Sequence, residues 1–447
     1  IVVGTGIYLA QTLGVEGFGV WVFATSLVAP LLMVVDGGTE AWGIREVSTH
    51  PERLRRSLIE IVALRMILAI GASIVLGLAI ALARPAQQWA LAWGAVSLLG
   101  LTLNTTWAHR GLESAAPAVT VLLQRLLGLG LILLFVRSPE HAARVTFWQG
   151  VSETLAAVVL LGLLAPKAGA GPHSALPRFQ PFTVLREAWP LGLSRVIRML
   201  PLTFTTILLE YTWSAAAVGA FGAALRIAVL IVIISSTFGM ATFPTLARAA
   251  TLGENSEARV TAAIFRLLAA VVAPVALGGI VLAGPFISLL LTDKFATAAA
   301  ALQVLLAGFL LMSISDLARG VLQARHQQRR DLRRVIAASL AAAAAAAALT
   351  PAYGAVGAAA ATLLGEAVVL GFAAHAVWGG GFIVILMRLI GYPVLAAVVM
   401  TAPVALLDGQ PLAVRVLAGA AAYAATMWPR RRRLIADLRT LERPGRG

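Results

Sequence analysis

Long apolar stretches follow one another along almost the whole chain, separated by short polar breaks. A bilayer core about 30 Å thick takes roughly 20 apolar residues of helix to cross. On that measure the pattern predicts an all-α integral membrane protein with about fourteen transmembrane segments. They fall near 1–13, 19–43, 58–83, 89–108, 117–136, 145–165, 188–210, 215–246, 261–283, 299–322, 335–350, 354–378, 389–407 and 412–428. The chain opens inside an apolar stretch, which predicts that the first segment is truncated. The eleventh is short and contains the alanine run 341–348. Alanine favours helix but drives insertion poorly, so that segment depends on its neighbours.

The polar breaks alternate in charge. One set carries Arg53, Arg55 and Arg56, then Arg110, then Arg325, Arg329, Arg330, Arg333 and Arg334, and the tail carries Arg430–Arg433. The other set carries only Arg84, Arg137, Arg144, Lys294 and Arg415. Lys and Arg in short loops stay on the cytoplasmic side, which predicts a cytoplasmic C-terminus in the cell inner (plasma) membrane. Trp89, Trp148, Trp189, Trp213, Trp378 and Trp428 fall near segment ends, where an aromatic belt would place them. The stretch Arg325–Arg334 reads as a contact for anionic membrane lipids.

Composition narrows the function classes. Hydrophobic residues make up 60% and charged residues 12%, against about 45–50% and about 25% in soluble domains. The net charge of +15 lies in loops and tail, where topology accounts for it, so nucleic acid is not an expected partner. The absence of cysteine excludes disulfides, thiolate catalysis and Cys-ligated metals. His109, His326 and His375 stand alone without metal-ligand spacing. There is no phosphate-binding loop motif, and the loops are too short for a soluble catalytic domain. Neither enzymatic activity nor a cofactor is expected.

A Gly-, Pro- and Ala-rich break separates the first six segments from the next six. The predicted organisation is an N-terminal six-helix bundle over 1–166, a cytoplasmic linker over 167–187, and a second six-helix bundle over 188–378. Two extra transmembrane helices and a basic tail fill 379–447. A short repeat supports the division: Gly19-Val20-Trp21-Val22-Phe23-Ala24 opens segment two and Gly219-Ala220-Phe221-Gly222-Ala223-Ala224 opens segment eight. Parallel repeats of this kind mark transporter folds with a substrate site between the repeats. The expectation is therefore two bundles in a V around a central cavity.

Several ordered motifs carry a resemblance. They are Leu13-Gly14-Val15-Glu16-Gly17-Phe18-Gly19, Asp36-Gly37-Gly38 followed by Arg45-Glu46-Val47, and Ala217-Val218-Gly219-Ala220-Phe221 with Ala224 and Arg226. Phe243-Pro244-Thr245-Leu246, Asp293-Lys294-Phe295, Gly320-Val321-Leu322-Gln323-Ala324, and Tyr353-Gly354-Ala355-Val356-Gly357-Ala358-Ala359 with Glu366 come next in order. Together they resemble the polysaccharide transporter family of the multidrug/oligosaccharidyl-lipid/polysaccharide exporter superfamily. The resemblance implies a flippase that moves polyprenyl-diphosphate-linked oligosaccharide from the cytoplasmic to the periplasmic leaflet. It also implies polysaccharide polymerase machinery as a partner. One departure stands out. The family often has an acidic residue midway along the seventh helix, where this chain has Thr203–Thr206, with Glu210 the nearest acid.

Charge inside an apolar segment costs about 2.5–3.5 kcal/mol on insertion scales, so such residues face protein or water. Arg65, Arg125, Arg266 and Arg319 lie within two turns of an inside loop, and the expectation is that they snorkel. Arg195 and Arg198, three apart on one helix face, and Arg226 lie deeper. Guanidinium binds phosphate bidentately, so these three are candidate ligands of the diphosphate. The alternative is structural pairing with Glu210, Glu153 or Asp36. Asp36 and Glu40, four apart, together with Glu153 and Glu366, are candidate ion-coupling acids. For Asp36 and Glu40 the competing role is pairing with Arg45 or Arg226, since a carboxylate held by arginine exchanges protons poorly. Pro201, Pro244 and Pro274 are candidate kinks. Three other functions remain open. A lipid II flippase shares the architecture, a drug or metabolite antiporter needs a cavity dominated by acids, and a membrane glycosyltransferase or polymerase needs catalytic acids and usually a large outer loop.

Overall fold

A computed structural model describes residues 2–169, 181–291, 293–325 and 328–442, which are almost entirely helical and contain no strand. The all-α expectation holds. Residues 170–180 of the predicted linker, including Arg178, lie outside the described residues. So do residues 326–327 of the stretch expected to meet anionic lipid. The chain forms two compact units, Ile1–Gly219 and Ala220–Gly447. Among the described residues, eight helical stretches are long and apolar enough to cross a membrane, and the 46- and 73-residue stretches exceed a single crossing.

Unit 1 contains α1 (Val2–Asp36), α2 (Thr39–Thr49), α3 (Leu54–Leu82), α4 (Pro85–Leu103), α5 (Thr106–Gly111), α6 (Ala116–Phe135), α7 (Ala142–Gly169), α8 (Pro181–Thr212) and the first turn of α9 (Ala215–Leu252). α4 packs on α1, α3 and α7, while α8 packs on α1, α2 and α3. Trp42, Ile61, Leu64, Trp107 and Ala188 form a core where α2, α3, α5 and α8 meet. Outward from that core, Ile70, Ile74, Leu78 and Leu82 form an exposed stripe along α3 at a four-residue repeat. An apolar stripe of that length on an apolar helix faces lipid rather than water.

Unit 2 contains the rest of α9, then α10 (Glu254–Val281), α11 (Ala283–Leu290), α12 (Ala298–Ala324), α13 (Gln328–Trp378), α14 (Phe382–Leu406), α15 (Leu412–Met427) and α16 (Arg431–Glu442). α12 packs along α13, and α10 packs on α12, α14 and α16. The apolar pattern ends at residue 428 and predicts only a basic tail beyond it. In the structure, residues 431–442 of that tail form a helix whose buried face includes Asp437.

Among the described residues, α1 and α13 each join two helices at a glycine with no intervening loop. Gly14 in α1 takes φ 67, ψ 179 and Gly354 in α13 takes φ 56, ψ −132. Side chains rarely adopt either conformation. Segments one and two are thus separate helices that meet at Gly14, and segments eleven and twelve meet at Gly354 and fold back so that Gly365 lies against Ala342. Pro244 and Pro274 sit inside α9 and α10, and neither helix has a break like those at Gly14 and Gly354.

Glycine also sets two close helix approaches in unit 1. Gly19 and Gly219, the paired positions of the sequence repeat, meet backbone to backbone, and a Cβ on either would overlap the opposing chain. Gly192 of α8 lies against the Gly37-Gly38 turn, and a Cβ there would come within 2.7 Å of the Gly38 nitrogen. Small residues at such contacts let membrane helices approach closely. Gly192→Val should therefore lower the thermal unfolding midpoint in detergent by several degrees. Gly162→Val, where a Cβ meets open space, should leave it unchanged. Scanning fluorimetry on the two variants checks this.

Candidate functional site

The ion-pair network of unit 1 starts where α1 ends. Asp36 is followed by Gly37 and Gly38, with φ 52 and 83, and this left-handed turn separates α1 from α2. The Asp36 carboxylate then accepts hydrogen bonds from the Gly38 and Glu40 amides at 3.3 and 3.2 Å and from the Thr39 hydroxyl at 3.3 Å. It acts as a cap for α2, satisfying amides that the helix start leaves open.

Arg65 of α3 meets the same carboxylate at 2.8 Å. Its guanidinium also donates to the Thr39 hydroxyl at 2.8 Å and to the carbonyls of Leu101 and Asn104 at 3.2 and 2.8 Å. Those carbonyls belong to the C-terminal end of α4, where cations are favoured. Its distance from a loop predicts that Arg65 snorkels, but only 2% of its side chain is exposed. The physical reason is depth. α3 begins at Leu54, so Arg65 is three turns inside the helix, and four acceptors surround it there.

Arg195 reaches this network from α8. Ala188, Gly192 and Arg195 share one helix face, and the close Gly192 contact brings the Arg195 guanidinium 3.7 Å from Asp36 and 3.5 Å from Glu40. Its side chain remains 50% exposed. Arg110 of α5 takes the other Glu40 oxygen at 2.7 Å. Arg45 pairs instead with Glu187, which also accepts from the Trp42 indole at 2.8 Å. The structure therefore brings together Arg195, Asp36 and Glu40 among the candidate residues, and adds Arg65 and Arg110.

The remaining candidates lie elsewhere. Arg198 is exposed, one turn beyond Arg195 on α8. Arg226 belongs to unit 2, where it is half-buried in α9 and donates to the Gly222 carbonyl at 3.4 Å. Glu153 of α7 is half-buried with the Ser97 hydroxyl as a hydrogen-bond partner. Glu366 of α13 is half-buried in unit 2. Arg266, also expected to snorkel, makes a two-pronged pair with Asp437 and is only 15% exposed.

A second buried charge lies toward the far end of α8. Glu210 is fully buried and pairs with Arg84 at 3.1 Å, across the α3–α4 turn. Its Oε2 finds no hydrogen-bond partner among the described residues. Glu210 is eighteen residues beyond Gly192, about 27 Å along a helix. The threonines between them are engaged: Thr203 donates to the Ser26 carbonyl of α1 at 3.0 Å, and Thr205 and Thr206 bond back into α8. From sequence, Arg84 reads only as an outer-loop charge. No local signal ties it to Glu210, because the partners are 126 residues apart.

A family described as polysaccharide biosynthesis protein matches residues 2–250, which include every residue of this network. The chain belongs to that family. None of the curated proteins matches the sequence. The fold is similar to that of the lipid II flippase MurJ in an inward closed conformation, with TM-score 0.73, 12% identity and 97% of each chain covered. It is also similar to an inward-facing multidrug resistance MATE family transporter of the MOP superfamily, with TM-score 0.64 and 16% identity over 86% of this chain and 94% of that one. The family suggested by the motifs is thus shown, and the chain is a multi-pass membrane protein whose fold is similar to those of a flippase and a transporter.

Removing one partner of a buried ion pair costs about 3–5 kcal/mol, whereas an exposed pair contributes about 0–1 kcal/mol. Arg65→Met should therefore strongly reduce the thermal stability of the purified protein. Arg110→Ala, from a pair that is 54% and 31% exposed, should change it little. Equal effects in side-by-side melts would place the stabilisation outside the Arg65 network.

Proposed function

We propose that this family member is a flippase that carries polyprenyl-diphosphate-linked oligosaccharide from the cytoplasmic to the periplasmic leaflet by alternating access. The carrying observation is the arginine pair on α8: Arg195 and Arg198 are exposed, three residues apart, in the helix anchored to the Asp36–Arg65 network. Exposed guanidinium on a membrane helix requires water or an anionic partner. A lipid diphosphate supplies charge and bidentate oxygen geometry together. Arg226 is the third proposed ligand, the sugars occupy water, and the polyprenyl tail remains in lipid.

The same reading assigns place, partner and energy source. The protein sits in the inner membrane with its arginine-rich end cytoplasmic, as the loop charges favour. Its product passes to polysaccharide polymerase machinery. The membrane potential, worth about 2.3 kcal/mol per charge per 100 mV, or an ion gradient drives the cycle. Asp36 and Glu40 are occupied by guanidinium partners; Glu153 and Glu366 are the other candidates for ion coupling. Movement of lipid II is the second reading, favoured by the fold likeness to a flippase of that lipid.

The test is transfer in sealed liposomes, with the purified protein and a fluorescent polyprenyl-diphosphate oligosaccharide. Wild type should transfer the lipid, and Arg198→Ala and Arg226→Ala should each slow transfer at least about tenfold, equivalent to about 1.4 kcal/mol. Unchanged rates in both variants would return these arginines to a structural role. Transfer of lipid II alone would select the second reading, and export of a cationic dye with no lipid transfer would select the antiporter.

A further inference from the structure

A separate charge cluster lies in unit 2, where α10, α14, α15 and α16 meet. A cavity of about 80 Å³ is lined there by Arg266, Arg388, Arg430, Arg433 and Tyr392, with an apolar wall from α14 and α15. Arg266 is neutralised by its two bonds to Asp437. No carboxylate is among the described residues that line the cavity, which leaves Arg388, Arg430 and Arg433 converging on one small space. Arg430 is held over the Tyr392 ring at 4.8 Å, a contact that fixes a guanidinium without discharging it.

The helix that carries this cluster has its charges the wrong way round. α16 opens with Arg431, Arg432 and Arg433, directly after Arg430, and its first turn has no acid. The N-terminus of a helix is electropositive, so cations there are destabilising and anions are favoured. An anion in the cavity would offset both the arginine repulsion and the helix end. The apolar wall adds a second requirement, and Ile435 and Leu438 are exposed farther along α16. A basic and apolar helix of this kind suits the membrane interface. The volume is several times what one water needs, enough for a phosphoryl group but not for a sugar chain.

We propose that this pocket binds the phosphodiester headgroup of an anionic phospholipid in the leaflet at the α16 end, with Arg388, Arg430 and Arg433 as its ligands. The site is independent of the flipping reading. It works as a clamp: bound lipid would hold α16 against α10 beside the Arg266–Asp437 pair.

The test is native mass spectrometry of the full chain in detergent with phosphatidylglycerol or phosphatidylethanolamine added. Arg388→Ala/Arg433→Ala would be compared with Arg432→Ala/Arg439→Ala, which removes equal charge outside the pocket. Wild type and the control should retain phosphatidylglycerol in preference to phosphatidylethanolamine, and the pocket variant should bind it at least about tenfold more weakly. The charge-keeping Arg388→Lys/Arg433→Lys variant should fall between them, because lysine lacks the bidentate fork. Equal loss in both alanine pairs, equal binding of the two lipids, or displacement by millimolar inorganic phosphate would each overturn the proposal. The lysine pair gives the same decision if the alanine pair does not fold.

Discussion

The buried guanidinium of Arg65 is the constraint on which the inner architecture of unit 1 depends. A charge removed from water must be both paired and hydrogen-bonded, or it costs several kcal/mol. Arg65 meets that demand with Asp36 at the end of α1, Thr39 at the start of α2, and the carbonyls of Leu101 and Asn104 at the end of α4. Three helix termini are thereby drawn to one side chain of a fourth helix. Asp36 then caps α2, and the glycines after it allow α8 to approach closely enough for Arg195 to join the same carboxylate.

From that anchor the arginines grade from buried to exposed. Arg65 is 2% exposed and Arg195 is 50% exposed, and Arg198 comes one turn later in the open. The buried pair fixes the backbone that carries the exposed arginines, so their geometry does not rest on flexible loops. Near the C-terminal end of α8, Glu210 is buried with one oxygen paired to Arg84. A single helix thus carries arginines near its middle and a buried acid near its C-terminal end, and Arg195 and Glu210 are held by partners on neighbouring elements.

Unit 2 manages its charge through α16. Asp437, the buried acid of that helix, pins it to α10 through Arg266. The arginines at its start are then drawn toward Tyr392 and the α14–α15 wall. The run Arg430–Arg433 carries the charge from which sidedness was inferred, and two of its members, Arg430 and Arg433, line a cavity.

Class and family were legible from one-dimensional features, because hydropathy over a crossing length and glycine motifs are local properties. Gly14, Gly19, Gly38, Gly219 and Gly354 all stood inside motifs singled out from sequence, and each proved to be a kink, a turn or a close contact. What the sequence did not decide was the fate of each charge. Arg65 and Arg266 read as snorkelling residues by distance from a loop, yet acids far away in sequence, at 36 and 437, hold them inside. Glu210 found its partner at 84 and Glu40 at 110. Helix formation and membrane insertion are governed by neighbours along the chain, so composition and period determine them. Ion pairing inside a bilayer is governed by which helices lie side by side, and that is decided only when the chain is packed.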